Sequence, residues 1–354
     1  MEFGFKNDTK QDFYKQNTNA PLLAKLTPHS VSVPTGTVVN VGGKIIRLAS
    51  DYVLDLDVNL DTGAKTAGTD YYIYALTTGG FVLSANNSYP SGYTAENSRK
   101  IGGFHYGLTL EDEAPTGNKT EADMVKIRGI NAYSLWDLKW HPAANPEGMV
   151  YIAGRWYDIY LLNSDHIVNG TSKASATIAG GATTYGRAIP KVPLQYGGNG
   201  DTVYAGFKWF HANEIAAAHA KELISYAEFM AIAYGVQEGA SSSAVDGGLA
   251  RVEHYGFLTS KYGIEQAAGT QYIWGKDVAG NRDEGSTTWA WQNVAENRGQ
   301  IYATHANHIT AVSLGGARGA GGHAGSRASD WDSYVWYSDW SVGSRFACDH
   351  VKLA

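Results

Sequence analysis

Eleven residues near the C-terminus, Trp331 to Ser341, hold three Trp and two Tyr interleaved with Asp and Ser. A chain end is usually frayed and polar, whereas rings of this size need cover. The final segment must therefore be built into a domain or meet a partner. At a period of two residues, Trp336, Ser338, Trp340 and Val342 share one side, and Tyr337, Asp339 and Ser341 the other. This spacing predicts Trp336 and Trp340 as buried scaffold, with Tyr337, Asp339 and Ser341 exposed.

Upstream, residues 1–30 are polar with weak periodicity and read equally as an attachment or oligomerisation segment or as a loosely ordered arm. From Val31 short β-branched runs alternate with Pro-Thr-Gly and Gly-Gly breaks, which predicts a β domain over 31–110. Leu54, Leu56, Val58 and Leu60 alternate with Asp55, Asp57 and Asn59 and predict one strand with a wet face. "DYYIYALTTGGFVLS" reads as a hairpin. The acidic, turn-rich stretch 111–129 reads as a linker, and 130–354 as a second domain of α+β type. Within it, "GMVYIAGRWYDIYLLN" reads as strand, Ala-Gly turn and strand. "HANEIAAAHAKEL" reads as a helix, and a second helix opens at Ser225, spaced from Glu228 as a capping box, and stops at Gly235.

Several functions are poorly served. The net charge is −6 with no block of Lys or Arg, so phosphate neutralisation is not this chain's means of binding and nucleic acid is not an expected partner. No apolar run approaches the roughly 18 residues of a spanning helix, and the start lacks a signal-peptide pattern, so a soluble protein without membrane insertion, made in a cytoplasm, is expected. One cysteine, Cys348, excludes intrachain disulfides and multi-Cys zinc sites. Asp55, Asp57, Asn59 and Asp61 have calcium-loop spacing, but Leu60 stands where the loop needs Gly. "GAGGHA", Gly319 to Ala324, formally matches a dinucleotide fingerprint but has no room for the βαβ unit around it. His211, His219, His305 and His308 lack a third ligand in a defined place and are expected to be structural. No catalytic constellation emerges, and no enzyme is expected.

The segment Ala324 to His350 carries a frame: Gly315-Gly316, Gly325-Ser326-Arg327-Ala328, Trp331, Gly343 to Arg345, then Cys348-Asp349-His350. This frame resembles the variable region, here about 315–350, of proteins diversified by diversity-generating retroelements, a family that includes phage tail-tip receptor-binding proteins. "SLWDLKWHPAANPEGMVYIAGRWYDIYLLN" and "FKWFHANEIAAAHAKELISYAEFMAIAYG" are similar to the same family's domain, so the likeness covers about 130–354. It implies an N-terminal β domain followed by a C-type-lectin-like domain, the fold shared with formylglycine-generating enzymes. It further implies a homotrimer in a phage virion, joined to other tail proteins, that binds a host cell-surface receptor, protein or glycan.

In that family scaffold residues stay fixed while exposed positions are rewritten at adenines of Asn-type codons. Carried onto this frame, the ligand-binding positions are Ala317, Gly319, Ala320, His323, Asp330, Asp332, Ser333, Tyr337, Asp339 and Ser341. None is Lys, Glu, Gln, Met or Trp, the types such a codon cannot reach when its first two bases change. Arg318 departs from the pattern, standing where the family has Trp, and is a candidate to reach a ligand. The chain lacks the carboxylate pair by which calcium-dependent lectins hold sugars, so no cofactor is implied, with a structural calcium left open. Two alternatives remain: a non-varying tail protein or adhesin, and an enzyme of the sulfatase-modifying type, whose chemistry needs a cysteine pair.

Overall fold

The computed structural model describes residues 20–110, 126–244, 256–280, 290–293, 300–303 and 309–351. By packing, the chain divides into one unit of 1–109, 127–147 and 350–354, and another of 110–126 and 148–349. Residues 130–147, read from the sequence as the start of the second domain, therefore belong with the first. Their tether is Trp136–Asp137, which pairs antiparallel with the long strand Ser98–Leu110. Most of the expected N-terminal segment and linker lies outside the described residues, as do His305 and His308.

The first unit is built of antiparallel strands. The expected hairpin is present as Thr69–Leu76 against Phe81–Ser84, and Ser98–Leu110 flanks it on the other side. Ala24–Lys25, Ser30–Val33 and Tyr52–Asp55 form a separate three-stranded sheet. Val31, Val33, Leu54, Ile73 and Phe104, all fully buried, sit in their common core.

The alternation from Leu54 to Leu60 does not become one strand. The strand stops at Asp55, and Val58 is 78% exposed. Asp55 Oδ1 accepts the Asp57 amide at 2.8 Å, and Asn59 Oδ1 accepts the Asp55 amide at 2.8 Å. These short polar side chains close a turn on their own backbone, an option that competes with a ladder and wins here. Asp61 accepts the Ser84 hydroxyl and the Ser91 amide, so its carboxylate is also committed to the turn.

In the second unit Met149–Ile152 and Arg155–Asp158 form the expected hairpin. Its turn residues Ala153 and Gly154 both have positive φ, 50° and 97°, the geometry that matches strand twist in a two-residue loop. The last strand, Phe346–Asp349, inserts between this hairpin and Glu222–Leu223. The chain end is thus core: Phe346 and Ala347 are fully buried and Cys348 nearly so. A second sheet runs in the order Ser329–Asp330, Ile309–Leu314, Tyr272–Gly280, Val342–Gly343.

Both expected helices form, although the first stops at Ala218 and Glu222–Leu223, read as its end, is a strand. Trp209–Ala218 buries His211, Ala212, Ile215 and Ala216, residues spaced to fall on one stripe. Tyr226–Ile232 opens on Ser225, whose hydroxyl accepts the Glu228 amide while the Glu228 carboxylate accepts the Ser225 amide at 2.8 Å, a complete capping box.

His211 is structural, stacked on Tyr204 with ring centroids 4.0 Å apart. His166 and His219 meet through Nδ1 and Nε2 at 2.9 Å. His166 Nε2 lies 2.8 Å from the Lys191 carbonyl, which only accepts, so Nε2 carries the proton and Nδ1 accepts from His219. Burial pushes both rings down in pKa, His219 to about 4 from 6.5. The unfolded chain takes up these protons nearer pH 6.5, so the pair's contribution to stability is full above that pH and is lost as pH falls toward about 4. The melting temperature of the native protein is expected to drop more steeply between pH 6.5 and 4 than that of His219→Gln, whose amide still donates to His166. Parallel profiles would refute this linkage.

Candidate functional site

The C-terminal segment departs from a strand after Asp330. Val335 is its buried anchor, 1% exposed, with its amide on the Ile309 carbonyl and its own carbonyl accepting the Trp209 amide. Ser338 is the second anchor. Its hydroxyl accepts the Phe207 amide at 2.8 Å and donates to the Gly181 carbonyl at 3.2 Å. A Cβ at Gly181 would collide with the Asp339 amide and the Ser338 hydroxyl, so only Gly lets the two segments meet this closely.

The period-two reading fails around these anchors, and so does the burial that the family frame implies for Trp331. Trp331 is 42% exposed, its ring edge-on to Tyr226 and its Nε1 donating to Ser329. Trp336 and Trp340 are half-buried, as are Tyr337, Asp339 and Ser341. Trp336 packs edge-on against Phe210, 5.6 Å between centroids, and Trp340 against Tyr185 at 4.6 Å. A turn at Tyr334–Tyr337, closed by the Tyr337 amide on the Tyr334 carbonyl, rotates the alternation out of register.

Five of the ten expected positions converge. Asp330, Asp332, Ser333, Tyr337 and Ser341, together with Tyr272, Tyr334 and Val342, line a depression of about 280 Å³. Its floor exists because Tyr272 and Val342 pair in parallel and Asp330 pairs with Ser313 across the same sheet. Tyr334 and Tyr337 meet edge-on at 5.7 Å. Asp330 accepts the Asp332 amide at 2.8 Å and Asp339 the Ser341 amide at 2.9 Å, so both carboxylates are held by their own turns. Burial, and then the negative charge of Asp330, push the Tyr272 phenol up. Burial and then Asp339 do the same to Tyr337. Both phenols therefore stay protonated donors at neutral pH.

The other five positions do not line this depression. Gly319 and His323 are exposed, while Ala320 and Asp339 are half-buried. Ala317 is only 5% exposed, against the expectation of a surface position. Its carbonyl accepts the Ala320 amide, and the next amide, of Arg318, donates to the Thr270 carbonyl, so the turn starts with Ala317 facing inward. The departure at Arg318 is explained by a neighbour: its guanidinium lies 4.7 Å from the Tyr185 ring centre. Tyr185 holds a left-handed backbone, φ 54°, on the loop before the fully sequestered Arg187. The frame around Ser326 is fixed by the Glu238 carboxylate, which accepts both the Ser326 amide and its hydroxyl.

Tyr185, Tyr272 and Tyr334 were missed from the sequence. Tyr272 and Tyr185 are distant in the chain from the variable region, and only long-range pairing brings them there. Tyr334 had a signal, since it lies inside the aromatic segment, but the period-two register gave it no role. Among the described residues no group of three or more His, Cys, Asp or Glu side chains is placed to hold a metal ion.

A family model described as the Mtd second domain matches residues 21–137. The tail fiber receptor-binding protein of Bordetella phage BPP-1 is 36% identical over 352 residues, covering 97% of this chain and 86% of that protein. Among solved structures, the Major Tropism Determinant M1 variant aligns with a TM-score of 0.83 at 34% identity, over 97% of this chain and 86% of that one. The U1 variant gives 0.81 at the same identity, over 96% and 86%. Identity at this level along nearly the whole length, with the β unit first and the lectin-like unit after it, means that the chain belongs to the major tropism determinant family.

Proposed function

We propose that this protein recognises the host for a phage tail or tail-like particle, binding a cell-surface molecule through the face that carries Asp330, Asp332, Ser333, Tyr337 and Ser341. The observation that carries the reading is their convergence on one depression walled by tyrosines. Tyr gives rigid amphipathic contact area at low entropic cost, and Ser and Asp give adaptable hydrogen bonds, the composition of an antibody paratope. Gly319, Ala320, His323 and Asp339 extend the face, and Ala317 supports it from beneath. Purified chain added to host bacteria should compete with adsorption of the particle; adsorption undiminished at saturating chain would contradict the function.

Diversification of these positions by adenine-directed mutagenesis is supported by their residue types. It predicts a near-copy of the region's DNA beside the gene, with adenines where the codons of these positions differ, and sequencing that finds no such copy removes it. The oxidative enzyme reading is not favoured: that chemistry needs two cysteines, and the chain's one, Cys348, is buried in the last strand. A homotrimer attached to other tail proteins suits weak faces, because joining three sites raises avidity by roughly 10²–10⁴ without new contacts. Light scattering at low concentration is expected to give three times the chain mass, and a stable monomer would remove the avidity argument.

A further inference from the structure

We infer that the depression lined by Tyr272, Asp330, Asp332, Tyr334 and Tyr337 binds an organic cation, the guanidinium or alkylammonium head of a basic side chain on the host receptor. The inference rests on the recognition function proposed above and names the chemistry that this copy of the face selects.

The charged residues lining the depression are Asp330 and Asp332, both acidic. Among the described residues neither forms an ion pair, and neither does neighbouring Asp339, whereas Arg155 and Lys221 elsewhere in the same unit are paired with carboxylates. The uncompensated negative charge is felt inside the depression, where Asp330 adds to the upward push on Tyr272. The walls are aromatic. Tyr272, Tyr334 and Tyr337 line it, and aromatic rings attract a cation most strongly when water is excluded. A volume of about 280 Å³ admits the head of an Arg or Lys side chain. A bare metal ion is a poor occupant, since calcium asks for six to eight oxygens and no group of three or more His, Cys, Asp or Glu among the described residues is placed to hold one. A guanidinium or primary ammonium, which has N–H donors for the carboxylates and a flat or methylene surface for the rings, uses both together, and that is the combination present.

The test titrates the full chain with N-acetyl-arginine amide, N-acetyl-lysine amide, the neutral isostere N-acetyl-citrulline amide and tetramethylammonium, followed by tyrosine ring resonances. Saturable binding of the arginine or lysine probe is expected in the low millimolar range, at least tenfold tighter than citrulline and weakened by 0.5 M salt, about the level at which surface charges are screened. Asp330→Asn with Asp332→Asn should abolish it. Asn keeps the oxygen that accepts the Asp332 amide, so an unchanged melting temperature verifies the fold. Citrulline binding as well as arginine, or tetramethylammonium binding more tightly than both basic probes, would overturn the assignment. Cell binding separates this failure from that of the function. If no probe binds but Tyr334→Ala with Tyr337→Ala still abolishes attachment to host cells, the face stands and the cation falls. If the probes bind and attachment ignores both pairs of substitutions, the pocket stands and the recognition reading falls.

Discussion

Arg345→Met is expected to destabilise the second unit by roughly 3–5 kcal/mol, because it takes the donors away from several buried carbonyls. Arg345 is fully buried, and burial pushes its guanidinium down to about 10. It remains charged at neutral pH because its fork is surrounded by acceptors. Nη1 donates to the carbonyls of Asp158, at 2.8 Å, and Ile159, while Nη2 donates to those of Glu265, at 2.6 Å, and Gln266, at 3.3 Å. The side chain therefore ties the hairpin strand Arg155–Asp158 to the loop at Glu265 and to the C-terminal strand it precedes. Met fills the volume but takes these donors from four carbonyls; that of Ile159 keeps the Glu265 amide, and each carbonyl left unpaired costs roughly 1–3 kcal/mol. Lys at this position is expected to recover little, because an ammonium on a flexible stem does not reproduce the planar fork. Thermal melts of the Met and Lys variants check this, and a Lys variant that melts with the native protein would contradict it.

The second large effect is on binding. Tyr334→Ala together with Tyr337→Ala is expected to weaken attachment to host cells by more than about 100-fold. Truncating an interface anchor commonly costs roughly 2 kcal/mol or more, and these two rings touch each other, so their losses need not add. Stability should change little by comparison, since both rings are half-buried and neither is a main-chain anchor; Val335 and Ser338 hold the loop. Loss of attachment together with an unfolded second unit would mean that the tyrosines are scaffold rather than contact.

How much of this was legible in the sequence differs from residue to residue. The Ser225 capping box and the Ala153-Gly154 turn are local chemistry, decided within four residues, and both were readable. The turn at Asp55 to Asn59 was local too. It was missed because an alternating apolar pattern was given more weight than Asx hydrogen bonding, which the same residues advertise. The C-terminal segment shows the opposite limit. That it is either core or a contact surface was legible from its aromatic content; the structure buries Phe346 to Cys348 but leaves every Trp and Tyr of Trp331 to Ser341 half-buried or exposed. Which ring faces inward was not, because the loop's orientation is set by Gly181, Phe207 and Ile309, all far away in the chain. The floor of the site was invisible for the same reason. Tyr272 reaches it only through parallel pairing with Val342, and no local pattern encodes that partner.

The central claim is that the host surface is met by the Asp330–Ser341 face rather than by the first unit. A photoreactive residue placed at position 332 or, in a second protein, at the 78% exposed position 58 allows a direct comparison on host cells. The account predicts a covalent adduct to one cell-surface species from position 332 and none from position 58. An adduct from position 58 alone, with 332 silent while the chain is bound, would contradict it.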